Sequence, residues 1–239
     1  MSDRCNPANE AVNPIVVALD GKSWDEILTL ILQLRTTGCI LKVNDLLFAE
    51  GINNLLPKLS AHGRVMADLK CHDIPNTVEN TVKRLRACPP WAVTIHASAG
   101  MEALESAVKV LEDTPTKVLA ITVLTSIDPV ACQEIYNRNP LDQILNLANI
   151  AKEAGVHGFV CSPEEVGQLK RVYPKMTYVV PGIRSPGINP GDQKRISTPK
   201  AAMEAGANHI VMGRQILNAP NPVEEVRRVL KEELNIELK

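Results

Sequence analysis

The segment DLKCHDIPNT, residues 68 to 77, brings three charged side chains close together: Asp68, Lys70 and Asp73. On an extended strand Asp68 and Lys70 point to one face and Leu69 to the other. Carboxylates beside an ammonium favour its charged form, so this spacing suits a lysine held protonated as a general acid. The same Asp/Lys pair would also serve as a buried ion pair that only fixes strand register. Two more charges weigh toward chemistry, because Asp20 closes the run IVVALD and Lys42 sits inside CILKV. A register-fixing pair does not need four charges at one opening. Asp73 has a structural reading as well, capping a helix entered at Pro75, and Asn76 and Thr77 share it. His72 and His96 do not stand at zinc spacing, and a lone strand histidine is commonly a hydrogen-bonded structural residue. No metal and no cofactor is expected.

The elements that must position these groups follow from the apolar pattern. Eight short runs rich in aliphatic residues recur at 15 to 20, 39 to 43, 64 to 70, 91 to 97, 117 to 125, 156 to 162, 176 to 182 and 207 to 213. Their interiors are almost wholly apolar, as in parallel strands buried on both faces. Between them lie segments of helical spacing, among them 24 to 35, 76 to 87, 100 to 113 and 141 to 154. The alternation predicts an α/β fold, a (β/α)8 TIM barrel, with an open doubly wound sheet as the other arrangement compatible with the period. No composition break divides the chain, so one barrel domain is expected over 15–239, preceded by an N-terminal extension, 1–14.

In such a barrel the chemistry gathers at the C-terminal ends of the strands, and a phosphoryl group is often held after strands seven and eight. Those positions carry Arg184, Gln193, Gly213 and Arg214, two guanidinium forks and a residue without a side chain. A plain turn with a solvated arginine at Gly213 and Arg214 is the alternative. Thr125 and Ser126 close the fifth run. The stretch 181 to 193, with three prolines and three glycines, is a candidate lid.

Composition limits the classes open to the chain. Of 239 residues 45% are hydrophobic and 22% charged, which are globular values. With 26 Lys+Arg against 27 Asp+Glu the formal charge is -1, so there is no bulk positive field for nucleic acid or anionic lipid. Aromatic residues, at 3%, are too sparse for base-stacking platforms. The six cysteines form no C-x-x-C pair, which fits a reducing, cytoplasmic compartment. The polar first fourteen residues lack the apolar stretch of a secretory signal, and no run is long enough to span a bilayer.

Taken in order, VVALD, LKV around Lys42, DLKCHDIPNT, VLTS around Thr125, PGIR at 181 to 184, GDQ at 191 to 193 and IVMGR at 210 to 214 resemble the orotidine 5'-phosphate decarboxylase family. The resemblance implies cofactor-independent decarboxylation of orotidine 5'-monophosphate in de novo pyrimidine biosynthesis. It implies that Asp20 and Lys42 hold the ribose hydroxyls, that Asp68 lies beside the substrate carboxylate, and that Lys70 delivers the proton. It further implies a homodimer with shared active sites, in which Asp73, Ile74 and Thr77 reach into the neighbouring subunit's site. Thr125 would sit near the pyrimidine, Arg184 and Gln193 would contact phosphate or base, and Gly213 with Arg214 would grip the phosphate. One departure is visible: the family often continues PGIR with proline, whereas here Ser185 precedes Pro186. Two other readings remain. One is the Mg-dependent 3-keto-L-gulonate 6-phosphate decarboxylase or hexulose-phosphate synthase type, in which an acidic ligand is expected where Lys42 stands. The other is a phosphate-binding barrel without catalysis.

Overall fold

The computed structural model describes residues 13–188 and 197–238. Eight strands, β1 (Ile15–Ala18), β2 (Ile40–Val43), β3 (Val65–Cys71), β4 (Ala92–His96), β5 (Lys117–Ile121), β6 (Gly158–Val160), β7 (Thr177–Val180) and β8 (His209–Met212), pair in chain order. Every pairing is parallel, and β8 returns to β1 through Val16 opposite Val211, so the sheet is a closed barrel. That pairing decides between the barrel and the open sheet. Among the helices packed around it are α1 (Trp24–Leu34), α2 (Asp45–Glu50), α3 (Ile52–Ser60), α4 (Pro75–Lys83), α5 (Met101–Leu111) and α6 (Pro129–Tyr136). They continue with α7 (Pro140–Glu153), α8 (Val166–Val172), α9 (Pro199–Glu204), α10 (Arg214–Leu217) and α11 (Pro222–Arg228).

Strand alternation sorts the core into two layers. Ile15, Val17, Leu41, Val43, Val65, Ala67, Val93 and Ile95 face outward into the large cluster shared with the helices. Val16, Ile40, Met66, Ala92, Leu119, Val179 and Val211 form a separate cluster, the filling of the barrel interior. Lys42, Asp68 and Thr94 follow Ile40, Met66 and Ala92 at a spacing of two, so the inward row turns polar toward the C-terminal ends. The apolar plug beneath keeps water from reaching these groups from below.

The helices begin where the side chains favour it. Ser23 and Glu26 form a capping box at α1. Asp128, Asn139, Thr198 and Asn221 each accept a backbone N–H at the start of α6, α7, α9 and α11, with proline at the first turn. The helix expected over 76 to 87 stays α-helical only to Lys83 and then tightens to a 3-10 turn at Arg84–Ala87. Pro89 and Pro90 follow closely and cannot continue it.

Several strands end earlier than their apolar runs, and at β5 and β1 this moves a candidate residue off the strand. β5 stops at Ile121 instead of reaching 125, because its partner β6 offers only Gly158, Phe159 and Val160 for pairing. Thr125 and Ser126 consequently lie in the loop beyond it. β1 stops at Ala18, which leaves Asp20 in a turn completed by Gly21 at φ 76°. Gly158 is required where it stands, since a Cβ there would lie 2.1 Å from the Thr177 carbonyl oxygen.

At the opposite end of the barrel the His209 ring packs edge-on against Trp91, with centroids 4.7 Å apart, and its buried Nδ1 has no hydrogen-bond partner among the described residues. Burial first, and then the Arg64 and Lys117 cations, pull its pKa down to about 4. The folded state therefore binds this proton less readily than the unfolded chain, whose histidine titrates near 6.5. Stability from this residue is complete above that value and is lost as pH falls toward 4, by on the order of 3 kcal/mol. Urea denaturation between pH 4 and 8 is expected to show this acid limb, and His209→Gln to flatten it; a limb of the same depth in the variant would refute the assignment.

Candidate active site

Four charged side chains of alternating sign form a row at the barrel mouth. The Lys42 ammonium on β2 donates to Asp20 Oδ2 at 2.6 Å and to Asp68 Oδ2 at 3.0 Å. The Lys70 ammonium on β3 donates to the same Asp68 oxygen at 2.5 Å. The other oxygen of Asp68 accepts the Thr94 hydroxyl at 2.8 Å. Asp68 and Lys42 are only 6% and 7% exposed. Lys70 and Asp20, with side chains 39% and 43% exposed, are the two ends of the row open to the mouth, and Lys70 is its exposed cation.

Burial by itself would raise the Asp68 pKa, but the Lys42 and Lys70 ammoniums outweigh it and hold the carboxyl below its ordinary value. Burial likewise opposes the charge on Lys42, and Asp68 and Asp20 more than restore it, leaving the ammonium above its ordinary pKa. Asp68 and Lys42, the two buried members, thus depend on their neighbours to remain charged. Removing the Asp68 carboxylate would break its buried pair with Lys42, a cost of about 3–5 kcal/mol.

The aim of Lys70 does not come from simple strand alternation. The β3–β4 register shifts between Ala67 and Cys71, and Lys70 itself has φ 50°. Its backbone N–H leaves the ladder and donates to Thr94 Oγ1 at 3.0 Å. Left-handed backbone costs a non-glycine residue on the order of 1 kcal/mol, and surrounding structure must impose it. Here Thr94 does so, accepting from Lys70 with the same hydroxyl that donates to Asp68. Asn44 Nδ2 secures the strand by donating to the Asp68 carbonyl at 2.6 Å, and Asp45 accepts the Gly21 N–H at 2.9 Å, which fixes the turn beyond Asp20.

The row lines one side of a cavity of about 490 Å³. Arg184, Gly213 and Arg214 line another side, and Thr125 stands on the rim with Leu124. Arg184 is 8% exposed and donates from Nη1 to the Ile183 carbonyl at 2.7 Å. Neither the backbone of Gly213, at φ -119°, nor its nearest neighbour, Ala18 Cβ 3.5 Å from an added Cβ, demands glycine there. What the missing side chain leaves open is the cavity. The arrangement offers a fixed ammonium among carboxylates at one end and cationic forks at the other.

The chain matches the model of the Orotidine 5'-phosphate decarboxylase / HUMPS family over residues 13–229. It belongs to that family. It is 41% identical over 222 residues to the orotidine 5'-phosphate decarboxylase of Haemophilus influenzae (strain 86-028NP), covering 90% of this chain and 96% of the relative. Identity to the orotidine 5'-phosphate decarboxylase of Mannheimia succiniciproducens is 40% over 224 residues, covering 91% and 95%. The crystal structure of orotidine 5'-phosphate decarboxylase from Lactobacillus acidophilus superposes with a TM-score of 0.80 at 34% identity, covering 93% of this chain and 99% of that one.

The residues expected to serve this decarboxylase-family site are not all gathered in one cavity. Asp20, Lys42, Asp68, Lys70, Thr125, Arg184, Gly213 and Arg214 line it. Asp73, Ile74 and Thr77 stand apart from it, exposed at the entry to α4, where Asp73 Oδ1 accepts the Ile74 N–H at 2.7 Å. Within one chain Asp73 thus bonds the residue just before α4, whose N-cap Ile74 has no side-chain cap, and the acid beside Lys70 is Asp68. Gln193 and the end of the candidate lid lie outside the described residues. His96 is shifted toward the neutral form by burial and by the nearby His72 and Lys70 charges, and its ring lies 5.3 Å from that of His72.

Thr94 and Asn44 were not among the sequence candidates, although each has a signal. Thr94 is an inward-facing hydroxyl two residues past Ala92 in an otherwise apolar strand, and Asn44 follows directly on β2. Thr94→Val deletes the donor to Asp68 and strands the Lys70 N–H, so urea denaturation should show a loss of about 1–3 kcal/mol. Thr94→Ser, which keeps the hydroxyl, is expected to recover most of it; equal losses in both variants would exclude the bridging role.

Proposed function

We propose that this protein decarboxylates orotidine 5'-monophosphate to uridine 5'-monophosphate and CO2 without a cofactor, as a step of pyrimidine biosynthesis in the cytoplasm. The observation that carries the reading is the Asp20–Lys42–Asp68–Lys70 row in the same cavity as Arg184 and Arg214. Breaking the bond from C6 to the carboxylate leaves its electron pair on C6, in an orbital that the pyrimidine ring does not delocalise. An adjacent ammonium meets that need twice. Lys70 stabilises the pair electrostatically as it forms, then transfers a proton to C6 and is reprotonated from solvent after release.

Asp68 lies beside the substrate carboxylate in this reading. Its main work is to hold the Lys70 ammonium aimed, so that the site fits the carbanion better than the ground state. Asp20 and Lys42 bind ribose hydroxyls and Thr125 lies near the pyrimidine. Arg184, Gln193, Gly213 and Arg214 hold the phosphate, with Gly213 giving a phosphate oxygen room to approach the backbone. Binding energy gathered at the phosphate, remote from C6, can hold the reacting ring in the charged row.

A second acidic group for Lys70, besides Asp68 of its own chain, is supplied across a homodimer, with Asp73, Ile74 and Thr77 inserting into the neighbouring site. Ile74 at 65% exposure and Phe48 at 72% support a subunit contact on this side of the barrel. The absence of a nucleic-acid or membrane partner belongs to the same reading; no helix among the described residues is long and apolar enough to cross a membrane.

The Mg-dependent reading fares worse on electrostatic grounds. Asp68 already accepts two ammoniums and a hydroxyl, and Lys42 stands where an acidic ligand would be needed. A silent binder would need the arginines but not the buried charge row. Mixing the protein with orotidine 5'-monophosphate and a chelator should deplete the orotate absorbance, and Lys70→Ala should lower turnover by at least about 10³-fold while still binding uridine 5'-monophosphate. Activity abolished by the chelator and restored by Mg²⁺ would refute the cofactor-free reading.

Shared sites make a second prediction. Lys70→Ala and Asp73→Ala preparations, each nearly inactive, should regain activity when their subunits are exchanged, since one of the two sites in each hybrid is intact. No recovery in hybrids verified by native mass spectrometry would confine the site to one chain.

A further inference from the structure

The two cavity arginines are each followed in sequence by a polar residue, Ser185 after Arg184 and Gln215 after Arg214. These two neighbours, far apart in the chain, meet in a double hydrogen bond. The Ser185 backbone N–H donates to Gln215 Oε1 at 2.9 Å, and Gln215 Nε2 donates back to Ser185 Oγ at 2.6 Å. Ser185 is only 6% exposed. We infer that Ser185 and Gln215 are positioning residues whose bridge sets the spacing of Arg184 and Arg214, and with it the grip on the substrate phosphate. The inference rests on the function proposed above.

The bridge is anchored and saturated. Ser185 Oγ also donates to Glu233 Oε1 at 2.5 Å and accepts from Arg228 Nη2 at 2.9 Å, so its one proton and both lone pairs are used. Gln215 uses its second amide proton on Glu225 Oε1 at 2.7 Å. Arg228 closes the group by donating from Nε and Nη2 to the two oxygens of Glu225 at 3.0 and 2.8 Å, and from Nη1 to Glu233 at 3.1 Å. A network in which every member is satisfied has one arrangement, and turning any side chain breaks several bonds together.

The other side of Arg184 is tied as well. Its N–H donates to the Ser197 carbonyl at 3.0 Å, within an isolated parallel bridge between Ile183 and Ser197. Arg184 is thus held on the barrel side by Ser197 and on the far side by Gln215. Docking the C-terminal helix alone would not call for a bond to the backbone of residue 185. Such a bond constrains the main chain that carries the arginine.

The test compares ligands that differ only in the phosphate. The affinities of uridine 5'-monophosphate and uridine, and kcat and KM for orotidine 5'-monophosphate, would be measured for the full chain and for Ser185→Ala, Gln215→Ala and the double variant. Each single variant is expected to weaken the nucleotide and raise KM about tenfold with uridine affinity held within roughly twofold, and the double to add little. Nucleotide and uridine affinities falling by the same factor, or neither falling, would overturn the inference. Should Gln215→Ala not fold, Gln215→Met keeps the volume without the hydrogen bonds and is judged by the same ratio. An unaltered protein that prefers the nucleotide yet does not decarboxylate its orotate form would sink the functional reading alone. One with no preference for the nucleotide would sink the bridge.

Discussion

The carboxylate of Asp68 accepts hydrogen bonds from two ammonium groups in a place where water barely reaches, and the site is arranged around that meeting. An ammonium and a carboxylate taken out of water each lose solvation worth several kcal/mol, which attraction recovers only when geometry and remaining hydrogen bonds are good. Here Lys42 and Lys70 share one oxygen, Thr94 satisfies the other, and Asp20 balances Lys42 from outside. The row carries no net charge, yet its last member is a cation facing the cavity. A lysine on an exposed loop would present the same charge, but water would screen it and its position would not be fixed.

The barrel supplies what this row requires. Strands β1 to β4 bring Asp20, Lys42, Asp68 and Thr94 to one end because the inward positions of neighbouring parallel strands lie side by side. Below them the apolar interior, from Val16 to Val211, closes the floor. The stability of the fold and the dryness of the site therefore come from the same side chains. His209 marks the opposite end, where a buried ring, its Nδ1 without a partner among the described residues, contributes to stability only while it stays uncharged.

Much of this was readable from the chain, and the parts that were not have a common cause. All eight strands announced themselves as apolar runs, because strands buried on both faces leave no polar alternation to confuse them. Closure was not in the period; it required β8 to pair with β1. The end of β5 was misplaced because it depends on the length of β6, a property of another segment. The row of Asp20, Lys42, Asp68 and Lys70 stood out as charge inside apolar runs, whereas Thr94 resembles any strand threonine until its two partners are in place. Asp73 shows the limit in the other direction: its sequence neighbours suggest a place beside Lys70, and within one chain the backbone turns it toward a helix entry.

The two halves of the cavity are held by different means, and the difference follows from where their residues sit. Lys42 lies within a strand paired on both sides, and Asp68 follows the paired stretch of β3, its carbonyl held by Asn44 and its carboxylate by Thr94. Arg184 and Arg214 come just after strands, where no ladder continues, and something else must define the main chain. Ser197 on one flank and the Ser185–Gln215 pair on the other take that place, tied through Arg228 to the C-terminal segment. Where proline is common after PGIR, a ring restricts the backbone through φ alone. Serine restricts it through partners, and it keeps the N–H that proline lacks. The loop at Arg184 thereby becomes dependent on residues that do not line the cavity, and the C-terminal segment becomes part of what shapes the arginine side of it.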